Sequence, residues 1–454
     1  MMRGKIGIIS LGCAKNLVNT EQMMFLLREA GFEVTGDTDG ADAVVLNTCG
    51  FIESAKTEAI ETILELGQAK KEGRIGKIIT AGCLPERHKD EIMSELPEID
   101  AVVGTGSFDD IVSAVNFALS GGDTLNSGEK FAEFGDINAP ISETKRIITT
   151  STAWAYLKVA EGCDNRCAYC VIPDIRGAYR SRPIENIINE AKELTATGIK
   201  ELILVAQDVT NYGFDLYGRR RLRDLLVELS RIENLKWIRL HYLYPDEIDD
   251  ELIDLVARND KILKYLDIPI QHINDEILSK MNRRGTGGQI RSLFRRLREC
   301  IPNIVLRTSI IAGLPGEGEA EFEELAAFLK EAKIERAGVF RYSPEENSPA
   351  AQMERPDTET AARRAELLEN IQTGIMDEFS KNRIGEITQV LIESNEGDYF
   401  FGRTYAESPD IDGYILIKGS GLSIGAIYNV NIVGTQDGQP VGEICRNGER
   451  SQAE

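Results

Sequence analysis

The chain has 454 residues, 42% of them hydrophobic, with 52 Lys and Arg against 74 Asp and Glu and a formal net charge of −22. That length predicts about three domains of roughly 150 residues, each with a core of ordinary size. No run of about 18 apolar residues is present to span a bilayer, and Ile6–Ser10 is too short for a signal-peptide core, so a soluble, cytoplasmic protein without membrane attachment is expected. The acidity repels phosphate-rich partners at long range and attracts basic proteins.

In chain order, Ile6–Ser10, Ala43–Asn47, Lys77–Ala81 and Ala101–Gly104 read as strands. Asn16–Ala30, Ser54–Lys70, Glu86–Ser94 and Phe108–Leu119 read as helices, the last with Ser107 as its N-cap. This alternation predicts a parallel α/β domain over 1–120. Residues 121–150 are rich in Gly, Ser and Thr and read as a linker. Apolar strands then recur near 154–159, 201–205, 237–243, 265–270, 304–311 and 336–342, with amphipathic stretches between them. Six β/α units predict a partial or full (β/α) barrel over 151–382, with a helix at 358–382 leading out. Over 383–450 five short strands separated by Gly and Asp turns predict a small antiparallel β-barrel. The expected fold class is α/β throughout the first two domains.

Eight cysteines in a cytoplasmic chain argue for metal or redox ligands rather than disulfides. Cys163, Cys167 and Cys170 form a Cys-x3-Cys-x2-Cys run directly after the first barrel strand. Three thiolates can hold a 4Fe–4S cube and leave its fourth iron open to a substrate's amine and carboxylate. A zinc knot closed by a distant Cys or His is the alternative. Cys13, Cys49 and Cys83 each stand just past the carboxyl end of a predicted strand, the edge where open α/β sheets gather ligands. Their spacings each fit one β/α unit, so the three converge on a second 4Fe–4S site; three small buried side chains are the bland alternative. Cys300 and Cys445 have no partner at ligand spacing. His88, His241 and His272 form no set. Lys158, Gln207, Asp208 and Gln271 lie near strand ends on the presumed active face of the barrel. Gln207, Ser309 and Gly313 are candidates for binding S-adenosylmethionine.

The cysteine run, with Tyr169 before its last member, resembles the radical S-adenosylmethionine superfamily. There a reduced cluster cleaves S-adenosylmethionine to methionine and a 5′-deoxyadenosyl radical, and the resemblance implies that the backbone beside Tyr169 contacts adenine. Both triads and the terminal barrel together resemble the methylthiotransferases over nearly the whole chain. That resemblance implies an N-terminal methylthiotransferase domain, a radical barrel and a C-terminal TRAM domain. It makes Cys13, Cys49 and Cys83 ligands of an auxiliary 4Fe–4S cluster, and Cys163, Cys167 and Cys170 ligands of the radical cluster. One branch of the family acts on an isopentenyl-type adenosine of transfer RNA. The RimO-type branch puts a methylthio group on the β-carbon of an aspartate in small-subunit ribosomal protein twelve.

The segments Ser10-Leu-Gly-Cys-Ala-Lys-Asn-Leu-Val-Asn-Thr-Glu21, Glu161-Gly-Cys-Asp-Asn-Arg-Cys-Ala-Tyr-Cys-Val-Ile-Pro173 and Asp267-Ile-Pro-Ile-Gln-His272 look like the second branch. So do Ala206-Gln-Asp208, His241-Tyr-Leu-Tyr-Pro245 and Phe340-Arg-Tyr-Ser-Pro-Glu345. From Glu386 to Arg450 ten acidic residues stand against four basic ones, which disfavours RNA binding by this barrel and suits a basic ribosomal protein, free or in the ribosome. The resemblance further implies a low-potential electron donor, a sulfur donor, and S-adenosylmethionine as both radical source and methyl donor. With no long exposed apolar motif, a monomer is expected.

Overall fold

The computed structural model describes residues 3–121 and 131–445, so 122–130 of the expected linker and 446–450 of the expected terminal barrel lie outside the described residues. Its contacts divide the chain into two units. One is the chain up to Thr149 with Ala160–Arg182 and Ser343–Ala351; the other is Thr150–Val159, Pro183–Tyr342 and the chain from Gln352 onward.

The first unit contains strands β1 (Lys5–Ser10), β2 (Glu33–Thr35), β3 (Ala43–Thr48), β4 (Lys77–Gly82), β5 (Ala101–Val103) and β6 (Phe131–Glu133). They form one sheet in the order β2-β1-β3-β4-β5-β6 with every neighbouring pair parallel. Ala43 and Val45 of β3 pack with residues of the helices Ala14–Glu29 and Ile111–Leu119, while Val44 and Leu46 pack with the helix Glu53–Lys71. A strand covered on both faces is an unbroken apolar run, which is why Ala-Val-Val-Leu carries no alternation.

Four local expectations change. β2 and β6, three residues each, are too short to carry a periodic signal, and β6 lies inside the stretch read as a linker. The expected helix Glu86–Ser94 is two pieces, Cys83–Arg87 and Lys89–Glu95, joined at His88. Ser107 does not cap with its side chain. Its Oγ donates to Glu133 O at 2.8 Å and accepts from Gly135 N at 2.9 Å, because β6 offers it closer partners.

The second unit opens with β7 (Trp154–Lys158). The chain then returns to the first unit for the antiparallel pair β8 (Ala160–Glu161) and β9 (Arg180–Ser181). Next come β10 (Glu201–Val205), β11 (Trp237–His241), β12 (Ile262–Asp267), β13 (Val305–Ala312) and β14 (Arg336–Arg341). With β7 they form a parallel sheet in the order β14-β13-β12-β11-β10-β7, an open, partial (β/α) barrel. The helix Thr358–Asn382 follows as expected, N-capped by Asp357.

The chain ends in a closed barrel of β15 (Ile387–Glu396), β16 (Tyr399–Arg403), β17 (Ile415–Lys418), β18 (Ile427–Gln436) and β19 (Gln439–Ile444), in the order β15-β16-β17-β19-β18. Its core is Val390, Ile392, Phe400, Ile415, Ile417, Val430 and Ile432. One pair departs from the antiparallel expectation. β17 runs parallel to β19, because β18 intervenes in the chain and forms the hairpin with β19. Residues 404–412, between β16 and β17, reach the parallel sheet of the same unit. Tyr265 donates to Asp412 at 2.6 Å and Arg239 to Tyr405 O at 2.8 Å, while Arg403 of β16 donates to Glu201 at 2.7 Å. Among the described residues no helix is long and apolar enough to cross a membrane.

Candidate metal centre

Strand order in the first unit reverses between β1 and β3, since β2 lies outside β1 while β4 and β5 continue past β3. Ligands of open α/β sheets bind at such a switch point, beyond the carboxyl ends of the strands. Cys13 follows β1, Cys49 follows β3 and Cys83 follows β4. Cys13 occupies the N-cap position of the helix Ala14–Glu29, and Cys83 is the first residue of the helix Cys83–Arg87. All eight cysteines are thiols outside disulfides.

The backbone leaves room for these three sulfurs at two glycines. Gly12 has φ +91°, and a Cβ there would lie 2.7 Å from Cys49 Cβ; Gly82 has φ +97°, and a Cβ there would lie 2.3 Å from Asn47 Oδ1. Both positions therefore demand glycine for conformation and for space. Gly12→Ala is expected to cost more than about 1 kcal/mol of stability in urea unfolding and to lower iron uptake at this site.

The three thiols sense one another. Burial first, then the nearby Cys83 and Cys13, pushes the Cys49 thiol up to about 11. Burial also raises Cys83, with Arg176 opposing it. The crowding of protein around Cys13 acts to raise its thiol, yet Lys15 and Arg176 outweigh it and bring it below its ordinary value. Holding all three as thiolates would take a cationic partner, which is what a metal centre supplies. Among the described residues no three His, Cys, Asp or Glu side chains enclose a position for a single metal ion. A four-iron cube places each thiolate on a different iron, so an all-cysteine set of this kind fits a cluster.

The second triad lies on the loop that leaves β8. Gly162, at φ +79°, turns the chain so tightly that a Cβ would lie 2.0 Å from Ala178 O. Cys163 N donates to Gly177 O at 3.2 Å, Cys170 N donates to Cys167 O at 2.9 Å, and Asp164 Oδ1 accepts from Tyr179 N at 3.1 Å. The Cys170 sulfur accepts from Ile172 N at 3.5 Å. Cys167 is buried, while Cys163, Tyr169 and Cys170 are half-buried. The loop thus holds its three sulfurs on local backbone bonds, leaving two of them partly open.

Both triads belong to the first unit, and the segment that follows the second one reaches Cys83 of the first. Val171, next to Cys170, packs with Ile175 and with Cys83, and Phe51 packs against these three side chains. Arg176, at the end of the helix Ile172–Arg176, donates to Cys83 Sγ from Nε at 3.3 Å and from Nη2 at 3.2 Å. Its Nη2 also donates to Asn16 Oδ1 at 2.6 Å, and its Nη1 to Glu161 at 3.2 Å. Sequence reasoning missed Arg176, Asn16 and Glu161 as site residues. A signal existed: Arg176 stands four residues after Ile172 and one after Ile175, on the apolar side of a short helix, where a charge needs a partner.

The remaining candidates lie in the second unit, apart from Tyr169. Gln207 follows β10 and Gly313 follows β13, both at the carboxyl edge, while Ser309 lies within β13 and is half-buried. Gly313 has φ +80°, and its N donates to Glu317 at 2.9 Å. Gln271, also left-handed at φ +69°, bridges to β13 through Ser309 O and Ile311 N. Lys158 ends β7 and is buried; Asp208 is buried and accepts from Thr210 N. The histidines have separate partners. His88 bonds Glu91, His241 bonds Ser408, and His272 accepts from Asn274 N and faces Glu317 at 3.4 Å. Cys300 ends the helix Gly287–Cys300 at the surface, and Cys445 follows β19.

Three family models match successive parts of the chain: the uncharacterized protein family UPF0004 at 5–104, the radical SAM superfamily at 157–329 and the TRAM domain at 384–444. The ribosomal protein uS12 methylthiotransferase RimO of Acetivibrio thermocellus is 46% identical over 99% of this chain and 100% of its own length. The chain belongs to the RimO family. The RimO of Lachnoclostridium phytofermentans is 48% identical over 91% of this chain and 93% of its own. Among solved structures, the radical S-adenosylmethionine methyltransferase TsrM from Kitasatospora setae, with cobalamin and a [4Fe–4S] cluster bound, matches with a TM-score of 0.57. It covers 77% of this chain and 74% of its own at 16% identity, a likeness of fold alone. As a member of the RimO family the protein is a radical SAM methylthiotransferase that modifies a ribosomal protein. Membership in the superfamily brings S-adenosylmethionine and a 4Fe–4S cluster with it.

Proposed function

We propose that this enzyme adds a methylthio group to the β-carbon of an aspartate in small-subunit ribosomal protein twelve. It uses two 4Fe–4S clusters, one on Cys163, Cys167 and Cys170 and an auxiliary one on Cys13, Cys49 and Cys83. The observation that carries this reading is that both triads lie in one unit, with Val171 and Arg176, just after the second triad, packed on Cys83. One triad alone accounts for making a radical; sulfur insertion needs a second sulfur-bearing site close by.

When bound, the clusters and S-adenosylmethionine supply reductive cleavage to a deoxyadenosyl radical, a sulfur source and a methyl donor. The chain's part is to hold the reacting groups and exclude water. Tyr169, Gln207, Ser309 and Gly313 contact S-adenosylmethionine. Half-burial of Cys163 and Cys170 keeps that side of the loop accessible, while Val171 and Ile175 seal the other with apolar surface. The acidic terminal barrel recruits the basic ribosomal protein, free or in the ribosome, rather than RNA, with charge setting encounter and orientation. The working form is a cytoplasmic monomer served by a low-potential electron donor and a sulfur donor. Its domains are an N-terminal one at 1–120, the radical barrel at 151–382 and the acidic barrel at 383–450.

Two cubes predict about eight irons per chain after anaerobic reconstitution. A value near four would remove the auxiliary cluster from the proposal. The substrate is tested by mass spectrometry of ribosomal protein twelve and of transfer RNA from cells with and without the gene. Loss of the methylthio mass from the protein is expected. Loss from an isopentenyl-type adenosine instead would assign the enzyme to RNA.

A further inference from the structure

Arg176 is 3% exposed. Its guanidinium is spread over three partners that belong to three different segments. Two N–H groups converge on the Cys83 sulfur, a third interaction reaches Asn16 Oδ1, and a fourth reaches Glu161. Asn16 passes the restraint on. Its Nδ2 donates to Leu11 O and Thr48 O, both at 2.9 Å. Leu11 lies two residues before Cys13, and Thr48 lies immediately before Cys49. Glu161 lies two residues before Cys163. One buried cation therefore grips the Cys83 sulfur directly, the chain entering Cys13 and Cys49 through one amide, and the strand entering the second triad through one carboxylate.

Burying a guanidinium is costly unless its donors are matched. A purely structural Arg176 would be satisfied by Glu161 and Asn16. Nothing in packing requires two of its N–H groups on a sulfur. Hydrogen bonds to cluster sulfurs and local net charge are among the terms that set a cluster's potential, because they stabilise the more negative, reduced form.

Building on the assignment of a cluster to Cys13, Cys49 and Cys83, we propose that Arg176 is a positioning residue. It orients Cys83 as a ligand and holds that cluster's electron affinity high relative to a site with no donor. The donor comes from the loop of the other triad, so the site is complete only when that loop is folded against it.

The test is made in the full chain with Cys163, Cys167 and Cys170 replaced by Ala, so that the auxiliary cluster alone reports. After anaerobic reconstitution its midpoint potential is read by spectroscopically monitored titration for the parent, for Arg176→Gln and for Arg176→Lys. A shift to more negative potential is expected for Arg176→Gln. Arg176→Lys, which keeps the charge but loses the fork, is expected to fall between the two. Where the Gln variant fails to assemble, the Lys variant decides by the same shift. A parent with about four irons and coincident midpoints in the variants overturns the inference alone. A parent that takes up no iron overturns the ligand assignment, and the role of Arg176 with it.

Discussion

Replacement of Cys163, Cys167 and Cys170 by alanine is expected to abolish deoxyadenosine formation, whereas replacement of Cys13, Cys49 and Cys83 is expected to leave it in place and stop methylthio transfer. The asymmetry follows from the two environments. The first three sulfurs sit on a short loop tied by its own backbone bonds, Cys163 N to Gly177 O and Cys170 N to Cys167 O. Those bonds do not involve the other triad, so the scaffold is expected to survive its loss. Cys13, Cys49 and Cys83 are spread over three strand ends, with the tight glycines Gly12 and Gly82 beside them and Arg176 on the Cys83 sulfur. Chromatography of deoxyadenosine and mass spectrometry of the substrate protein, run on the same samples, read both halves. Equal loss of cleavage in the two sets of variants would contradict the division of labour.

Glu407→Leu is expected to destabilise the second unit by about 3–5 kcal/mol, the cost of stranding a buried charge without its partner. The carboxylate is fully buried and accepts from Arg383 at 2.5 Å, Thr404 Oγ1 at 2.6 Å and Thr404 N at 3.0 Å, with Arg336 at 3.4 Å. Burial acts to raise its pKa, but Arg383, Arg336 and Thr404 outweigh it and hold the group down at about 2. A carboxyl lowered on folding contributes stability above its unfolded value, near 4.5, and loses that contribution as pH falls towards 2. The amount is about 3 kcal/mol. Trp154 and Trp237 both lie in this unit, so urea unfolding followed by their fluorescence at pH 7 and near pH 3 reads the part lost by pH 3, about 2 kcal/mol. Glu407→Gln should flatten the acid dependence over that range. An unchanged acid profile would mean that other carboxylates carry it.

Much of this was legible in the chain because the signals were local. Apolar runs such as Ala-Val-Val-Leu and Leu-Ile-Leu-Val mark buried parallel strands without any knowledge of what they pair with. The three cysteines of the first domain announce themselves by following such runs each time. What escaped was what depends on distant segments. β6 has only Phe-Ala-Glu to show, and its place beside β5 comes from the sheet edge rather than from its own pattern. Ser107 loses its capping role to that same strand. Arg176 reads as an ordinary basic residue until Cys83, 93 positions earlier, is seen against it. Glu407 likewise reads as one more acid in an acidic barrel, although its partners make it among the most buried charges in the unit.

Contacts group the cysteine loop, residues 160–182, with the N-terminal sheet and not with β7, which immediately precedes it. Gene order and three-dimensional neighbourhood thus disagree at this point. A fragment cut at residue 151 to isolate the radical barrel would expose Val171 and Ile175 to water and leave Arg176 without its sulfur partner. The two halves of the enzyme are therefore poor candidates for separate expression or for exchange between relatives unless the loop travels with the sheet it packs on.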